Sequence, residues 1–232
     1  MVWLRYLLYF IAIAFVTWAL VQMEVSAPGS LKLHVVPLES DVYGTSEFSP
    51  VEIIQAIILV ACGLIMGWVA RYCPSQRPIS LVFGGMALAF LIRELDYFLD
   101  RFVIDNLWQV LDAVVAALVI AYAYRHRKRL LIALARIWPS PGLTLLFAGA
   151  IIMFAFVPLV GHEPLWMSIL GDSYQRIIKL AIEEFIELSG YFLWMIGTVE
   201  YALQARSIAY REPQPAARRL RDKRRANSTG RF

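Results

Sequence analysis

Residues 177–203 read IIKLAIEEFIELSGYFLWMIGTVEYAL. The stretch is long enough to cross a bilayer as a helix, which takes about 20 predominantly apolar residues. Yet Lys179, Glu183, Glu184 and Glu187 lie within it. A charge at the middle of a membrane helix costs roughly 2.5–3.5 kcal/mol on insertion scales, so charges of this kind face a bundle interior, a hydrated cavity or a partner. At ~100° per residue, Arg176, Lys179, Glu183, Glu187, Gly190, Trp194 and Gly197 fall on one stripe, with Glu184 to the side of it. Three carboxylates in five residues exceed what helix capping explains. The segment reads as a membrane helix that carries a site.

The rest of the chain agrees with a membrane fold. Of its 232 residues, 59% are hydrophobic, and the mean hydropathy is +0.60, far above the balance of a water-soluble domain. Hydropathy marks six spans, at about 4–22, 50–72, 79–99, 107–124, 141–160 and 177–203. The expected fold class is therefore an all-α, polytopic membrane protein: a six-helix transmembrane bundle over 1–204, with a basic cytoplasmic tail over 205–232 that is too polar to pack. The first span is read as a retained anchor. Its apolar run is longer than that of a signal peptide, and Pro28 follows the only small-residue cleavage candidate.

Charge sets the orientation. Seventeen of the 22 Lys and Arg residues fall on the side that holds both termini, and fifteen of the 18 acids fall on the other. By the positive-inside rule both termini are cytoplasmic, in a cell inner (plasma) membrane. Trp3, Trp68 and Trp138 sit at inner boundaries, and Trp18, Trp108 and Trp166 near outer ones, the pattern of aromatic belts. The pI of about 9.1 follows from juxtamembrane bases and carries no implication of nucleic-acid binding. The expected partners are the lipid bilayer, anionic lipids at the basic tail, and a membrane protein subunit or a second copy of the chain. Cys62 and Cys73 fall in a span and a reducing-side loop, an arrangement that does not suit a disulfide.

Local signals punctuate the spans. Ser49, Pro50 and Glu52 form a capping box at the start of the second span. Asp105, and Asp172 with Gln175, read first as caps of the fourth and sixth. Residues 130–138 suit an interfacial amphipathic turn. In the 27-residue outer loop 23–49, residues 31–36 alternate as a short strand does. Gly63, Gly67, Gly84, Gly85, Gly190 and Gly197 suit close helix packing.

The remaining polar residues inside spans define a candidate site. Arg93, Asp96, Tyr97 and Asp100 share an arc of the third span, with Glu94 beside it; Asp105, Gln109 and Asp112 share a face of the fourth; Glu52 and Gln55 share one of the second. All lie in the outer half, and the inner half reads as apolar until Glu200, which is expected to reach the inner interface. The expectation is an outward-open pocket walled by spans two, three, four and six. Its ion- or substrate-binding residues are Glu52, Gln55, Arg93, Glu94, Asp96, Gln109, Asp112, Lys179, Glu183, Glu184 and Glu187, with Arg101 and Arg176 as further bases. Crowded carboxylates in a low dielectric do not all stay ionised. Such a pocket binds a cation, relays protons or grips a cationic headgroup. Oxygen ligands also suit a divalent cation, for which Glu94, Asp112, Glu184 and Glu187 are the candidates. His34 and His162, both on the outer side, are weaker candidates as metal ligands or a base.

Three functions follow from these residues: cation- or proton-coupled transport of a small solute, a membrane-embedded enzyme acting on a lipid or envelope substrate at the outer leaflet with carboxylates as acid, base or metal ligands, and a non-catalytic assembly partner. The chain has no Gly-x-Ser-x-Gly nucleophile motif and no Walker-type phosphate loop.

Overall fold

The computed structural model describes residues 2–31, 35–37, 43–45, 49–104 and 106–211. His34, Asp105 and the tail beyond Arg211 lie outside the described residues, as do the side chains of Tyr97 and Arg101. Among the described residues the fold is helical apart from one two-stranded ribbon, in which β1 (Val35–Pro37) pairs antiparallel with β2 (Tyr43–Thr45) and Val35 stands opposite Thr45. Of the strand expected over 31–36, residues 35 and 36 are in β1, and residues 32–34 lie outside the described residues.

Helix α1 (Val2–Ser26) is mostly apolar between Arg5 and Gln22, and Leu20 is its buried core residue. Its C-terminal turn folds back on itself, where the Glu24 carboxylate accepts the N–H groups of Gly29 (2.7 Å) and Leu31 (2.9 Å). Helix α2 (Pro50–Tyr72) starts at the expected capping box. Ser49 Oγ accepts the Glu52 N–H at 3.0 Å, and Glu52 Oε2 accepts the Ser49 N–H at 3.2 Å.

The third expected span is divided. Helix α3 (Arg77–Glu94) stops at Leu95, and a separate short helix, α4 (Asp96–Phe102), follows. Neither glycine nor proline marks the break. It falls inside the run Arg93-Glu94-Leu95-Asp96, where the polar cavity described below begins. Helix α5 (Leu107–Arg125) packs chiefly on α3 and buries none of its residues. Helix α6 (Arg127–Ile137) is amphipathic, seating Ala133 and Ile137 in the core; it starts three residues before the expected interfacial turn.

Helix α7 (Pro141–Ile151) is capped by Ser140 Oγ and runs through a π turn (Ile152–Phe156) into α8 (Val157–Val160). Pro158 has no N–H to continue an i→i−4 ladder, and π turns commonly relieve such interruptions. Helix α9 (Glu163–Leu170) and a 3₁₀ turn holding Asp172 lead to α10 (Arg176–Arg211). At 36 residues, α10 outlasts the expected sixth span by two turns, so the start of the basic tail is helical.

Among the described residues, four helical stretches are long and apolar enough to cross a membrane: 3–26, 50–72, 107–125 and 141–160. α3 and α10 hold the charges already noted, and they form the centre of the bundle. α10 lies along α7 at backbone contact. A Cβ on Gly142 would stand 2.4 Å from the Tyr201 nitrogen, and one on Gly197 would stand 2.7 Å from the Leu146 nitrogen. Gly149 and Gly190 face each other farther out. Of the glycines expected to permit close packing, Gly84, Gly85, Gly190 and Gly197 meet a neighbour; Gly63 and Gly67 have open space where a side chain would go. Gly142 and Gly149 were not anticipated. Between α3, α7 and α10, the rings of Phe83, Phe90, Phe147, Phe154, Tyr191 and Trp194 pack with neighbouring centroids 5.4–5.9 Å apart.

Candidate functional site

The capping box fixes the start of α2, and with it Glu52 and, one turn on, Gln55. The end of α3 supplies Arg93 and Glu94, and the start of α4 supplies Asp96. The first three turns of α10 supply Arg176, Lys179, Glu183, Glu184 and Glu187. These side chains, with Trp108, Val157, Pro158 and Leu180, line one cavity of about 510 Å³; Gln55 sits behind Glu184.

Its charges are partly paired. Arg93 Nη2 reaches Glu187 Oε1 in a close ion pair and stands 3.5 Å from Glu94 Oε1. Lys179 Nζ lies 3.0 Å from Glu183 Oε2, one turn away on α10. Gln55, wholly buried, donates from Nε2 to the Glu184 carboxylate and backbone carbonyl, each at 3.2 Å. Tyr191, one turn on from Glu187 along α10, donates its hydroxyl to Glu94 Oε1 at 2.6 Å. Gly161 approaches so closely that a Cβ there would sit 2.5 Å from Glu183 Oε1. Six acids line the cavity against three bases, so the fully ionised lining has an excess of negative charge even after the ion pairs are counted. A positive charge entering the cavity compensates that excess.

A second cavity, of about 480 Å³, adjoins the first. Arg93 and Pro158 line both. Its other walls are apolar residues of α3, α5 and the π turn, among them Phe90, Val119 and Phe154, and Asp112 is its only acid.

Nine of the eleven expected site residues therefore come together: Glu52, Gln55, Arg93, Glu94, Asp96, Lys179, Glu183, Glu184 and Glu187. Asp112 does not join them; it lines the neighbouring cavity. Gln109 lines neither cavity and is exposed. The expected wall of spans two, three, four and six is also corrected. The fourth-span helix α5 contributes only Trp108, and α8, from the fifth span, takes its place. The physical reason is the glycine contact between α7 and α10, which brings α8 to the cavity and leaves α5 outside, against α3. With Asp112 elsewhere, the four metal candidates do not converge. Among the described residues, no three His, Cys, Asp or Glu side chains gather as a metal ion requires.

Glu200 is buried and held by α1, with Arg5 making a bidentate pair (2.6 and 2.8 Å) and Tyr9 donating at 2.9 Å. The inner half is also less apolar than expected: Gln76, Ser80, Thr198 and Tyr201 are buried there. Tyr191 was missed at the sequence level, although it lies four residues after Glu187 and so on the same face. No family model matches the chain, and neither the curated proteins nor the solved structures compared with it gave a match.

Proposed function

We propose that the chain is a six-span protein of the cell inner membrane, with both termini cytoplasmic, that couples movement of a small cationic solute to protons at an outward-facing carboxylate cavity. The observation that carries this reading is the convergence of six acids and three bases from α2, α3, α4 and α10 on one cavity. The charge asymmetry of the chain supports the orientation. α3 and α10 complete six spans because their charges turn inward to the cavity and, for Glu200, to Arg5 of α1 instead of toward lipid.

In this reading Glu184 and Glu187 exchange protons for the solute's positive charge. Arg93, held between Glu187 and Glu94, keeps part of the cluster ionised and sets how many protons the cavity holds. A positive charge in the fully ionised cavity meets net attraction, which protonation removes. That antagonism is the elementary requirement for coupling two cations.

The test is a current measurement on full-length protein reconstituted on a solid-supported membrane. An acid-going pH jump, and separately additions of sodium, choline and ethanolamine, are expected to give transient currents. Glu187→Gln should abolish the solute response and shrink the proton response. Absence of any pH-jump current from the wild type would overturn the reading.

The adjoining apolar cavity favours a second reading, in which the chain acts on a lipid at the outer leaflet. A hydrocarbon chain would lie against Phe90, Val119 and Phe154, and the headgroup would pass Arg93 into the carboxylate cavity. Turnover of a short-chain lipid by purified protein, lost on Glu184→Gln, would favour it.

A further inference from the structure

We infer that a buried thread of polar side chains along one face of α10 carries protons from the carboxylate cavity to the loop between α2 and α3. The inference rests on the proton-coupled reading of that cavity and gives it an inner half.

Glu187, Tyr191, Trp194, Thr198 and Tyr201 recur at intervals of three and four residues, which places them on one helix face. All are buried, four of them completely. From Glu187 to Tyr201 the helix rises about 21 Å, a large part of the ~30 Å hydrocarbon core. At the outer end Tyr191 donates to Glu94, and Glu94 shares Arg93 with Glu187. At the inner end the Tyr201 hydroxyl donates to the Gln76 carbonyl at 3.1 Å and shares a hydrogen bond with Ser80 Oγ at 3.0 Å.

Three polar atoms on this route have no hydrogen-bond partner, Trp194 Nε1 and both side-chain amide atoms of Gln76, and Thr198 Oγ1 faces the thiol of Cys62. Buried polar atoms in native proteins are almost always paired, and each one left unpaired costs about 1–3 kcal/mol. A donor at Trp194 and a donor and an acceptor at Gln76 call for a partner that both donates and accepts. Water does so, and buried waters ordinarily make two to four such bonds.

The proton route then follows from the groups available. A proton leaving the Glu187 and Glu94 carboxylates passes to water beside Tyr191. The Trp194 indole, which donates but cannot accept, orients that water. The hydroxyls of Thr198, Tyr201 and Ser80 take the proton onward, each accepting on one lone pair and releasing its own proton to the next. One proton enters and one leaves at Gln76, with no other bond changed.

The experiment uses full-length protein in liposomes loaded with a pH-sensitive dye, with a potassium diffusion potential, valinomycin and no added solute. Wild type should acidify the lumen faster than empty liposomes. Thr198→Val removes a hydroxyl at nearly constant shape. It should slow the flux by roughly a hundredfold, the low end of what a positioned proton-transfer group contributes. Thr198→Ser should restore it, and Tyr201→Phe should slow it. Ser189→Ala, exposed on another face, should conduct as wild type.

The pH-jump current, read on the same samples, separates the two claims. A Thr198→Val protein that keeps the outer pH-jump current but loses steady flux is the expected result. Wild-type flux no greater than that of empty liposomes, with the pH-jump current intact, would overturn the thread and leave the cavity reading standing. So would Thr198→Val conducting like wild type. Loss of the pH-jump current in the wild type would strike the cavity reading itself.

Discussion

Replacing Arg93 by Met removes the base that Glu187 and Glu94 share. The Glu187 side chain is 7% exposed and that of Glu94 6%, so both carboxylates stay buried while their counter-charge disappears. Breaking a buried ion pair from one side costs about 3–5 kcal/mol, because the remaining charge is uncompensated. The Arg93 side chain is 34% exposed to the cavity, and solvent there screens the pair, so the low end, about 3 kcal/mol, is the expected loss. Glu187→Met should cost a similar amount. The double variant Arg93→Met/Glu187→Met removes the Glu187 charge as well but still leaves Glu94 without its base, so it should cost about 3 kcal/mol, no more than Arg93→Met alone. The coupling between the two positions is then about 3 kcal/mol, far beyond the few tenths by which independent sites depart from additivity. Reversible unfolding of the detergent-solubilised protein by titration with a denaturing surfactant, followed by tryptophan fluorescence, measures all four corners of the cycle. If the double variant loses the full sum of the two single losses, Arg93 and Glu187 are not partners, and the account of how the cavity is held together fails.

The glycine seam gives a sharper contrast. Gly142→Ala would press a methyl group against the backbone of Tyr201, which cannot move aside, and should cost about 3 kcal/mol, the upper end for overpacking. Gly63→Ala meets open space and should instead stabilise α2 by about 0.5–1 kcal/mol; the same surfactant titration ranks both. Arg5→Leu leaves Glu200 buried with only Tyr9, and should lower the thermal midpoint more than Glu200→Gln, which retains a group able to meet the Tyr9 hydroxyl. Ser49→Ala removes one half of the capping box, at about 1 kcal/mol, but keeps the backbone N–H that Glu52 Oε2 accepts, so stability should fall while the pH-jump current stays close to wild type. With Cys62 and Cys73 replaced, a cysteine at His162 should react in intact cells with a membrane-impermeant maleimide, and one at Arg211 should react only after lysis. The reverse pattern would invert the proposed orientation.

The sequence carried some of this fold in plain form and some not at all. The helices at 50–72, 107–125 and 141–160 were readable because unbroken apolar runs of bilayer length have one good solution. The capping box at Ser49 was readable because its code is local. The break at Leu95 was not, since it comes from where the charged residues at the end of α3 find a cavity, and no proline or glycine announces it. The extension of α10 to Arg211 was hidden because hydropathy marks where the lipid ends, not where a helix does. Helical periodicity put Glu183, Glu187, Arg93 and Glu94 on inward faces, and these converge. The same arithmetic gave Asp112 and Gln109 a face on α5 but not the neighbour that face would meet. That neighbour depends on Gly142 and Gly149 matching Gly190 and Gly197 across the bundle, a register between segments distant in sequence. Tyr191, Thr198 and Tyr201 passed unnoticed because a single hydroxyl in an apolar helix barely alters its hydropathy.

The backbone contact between α7 and α10 divides the molecule mechanically. Two helices locked glycine to glycine along several turns cannot slide or tilt past each other without collision, and they behave as one stiff plank. α5 sits at the opposite extreme, with no residue sunk into the body of the protein, and its hold is largely on α3. A rearrangement that widened the passage beside Arg93 would therefore meet less resistance in α5, which leans on α3, than in the plank of α7 and α10.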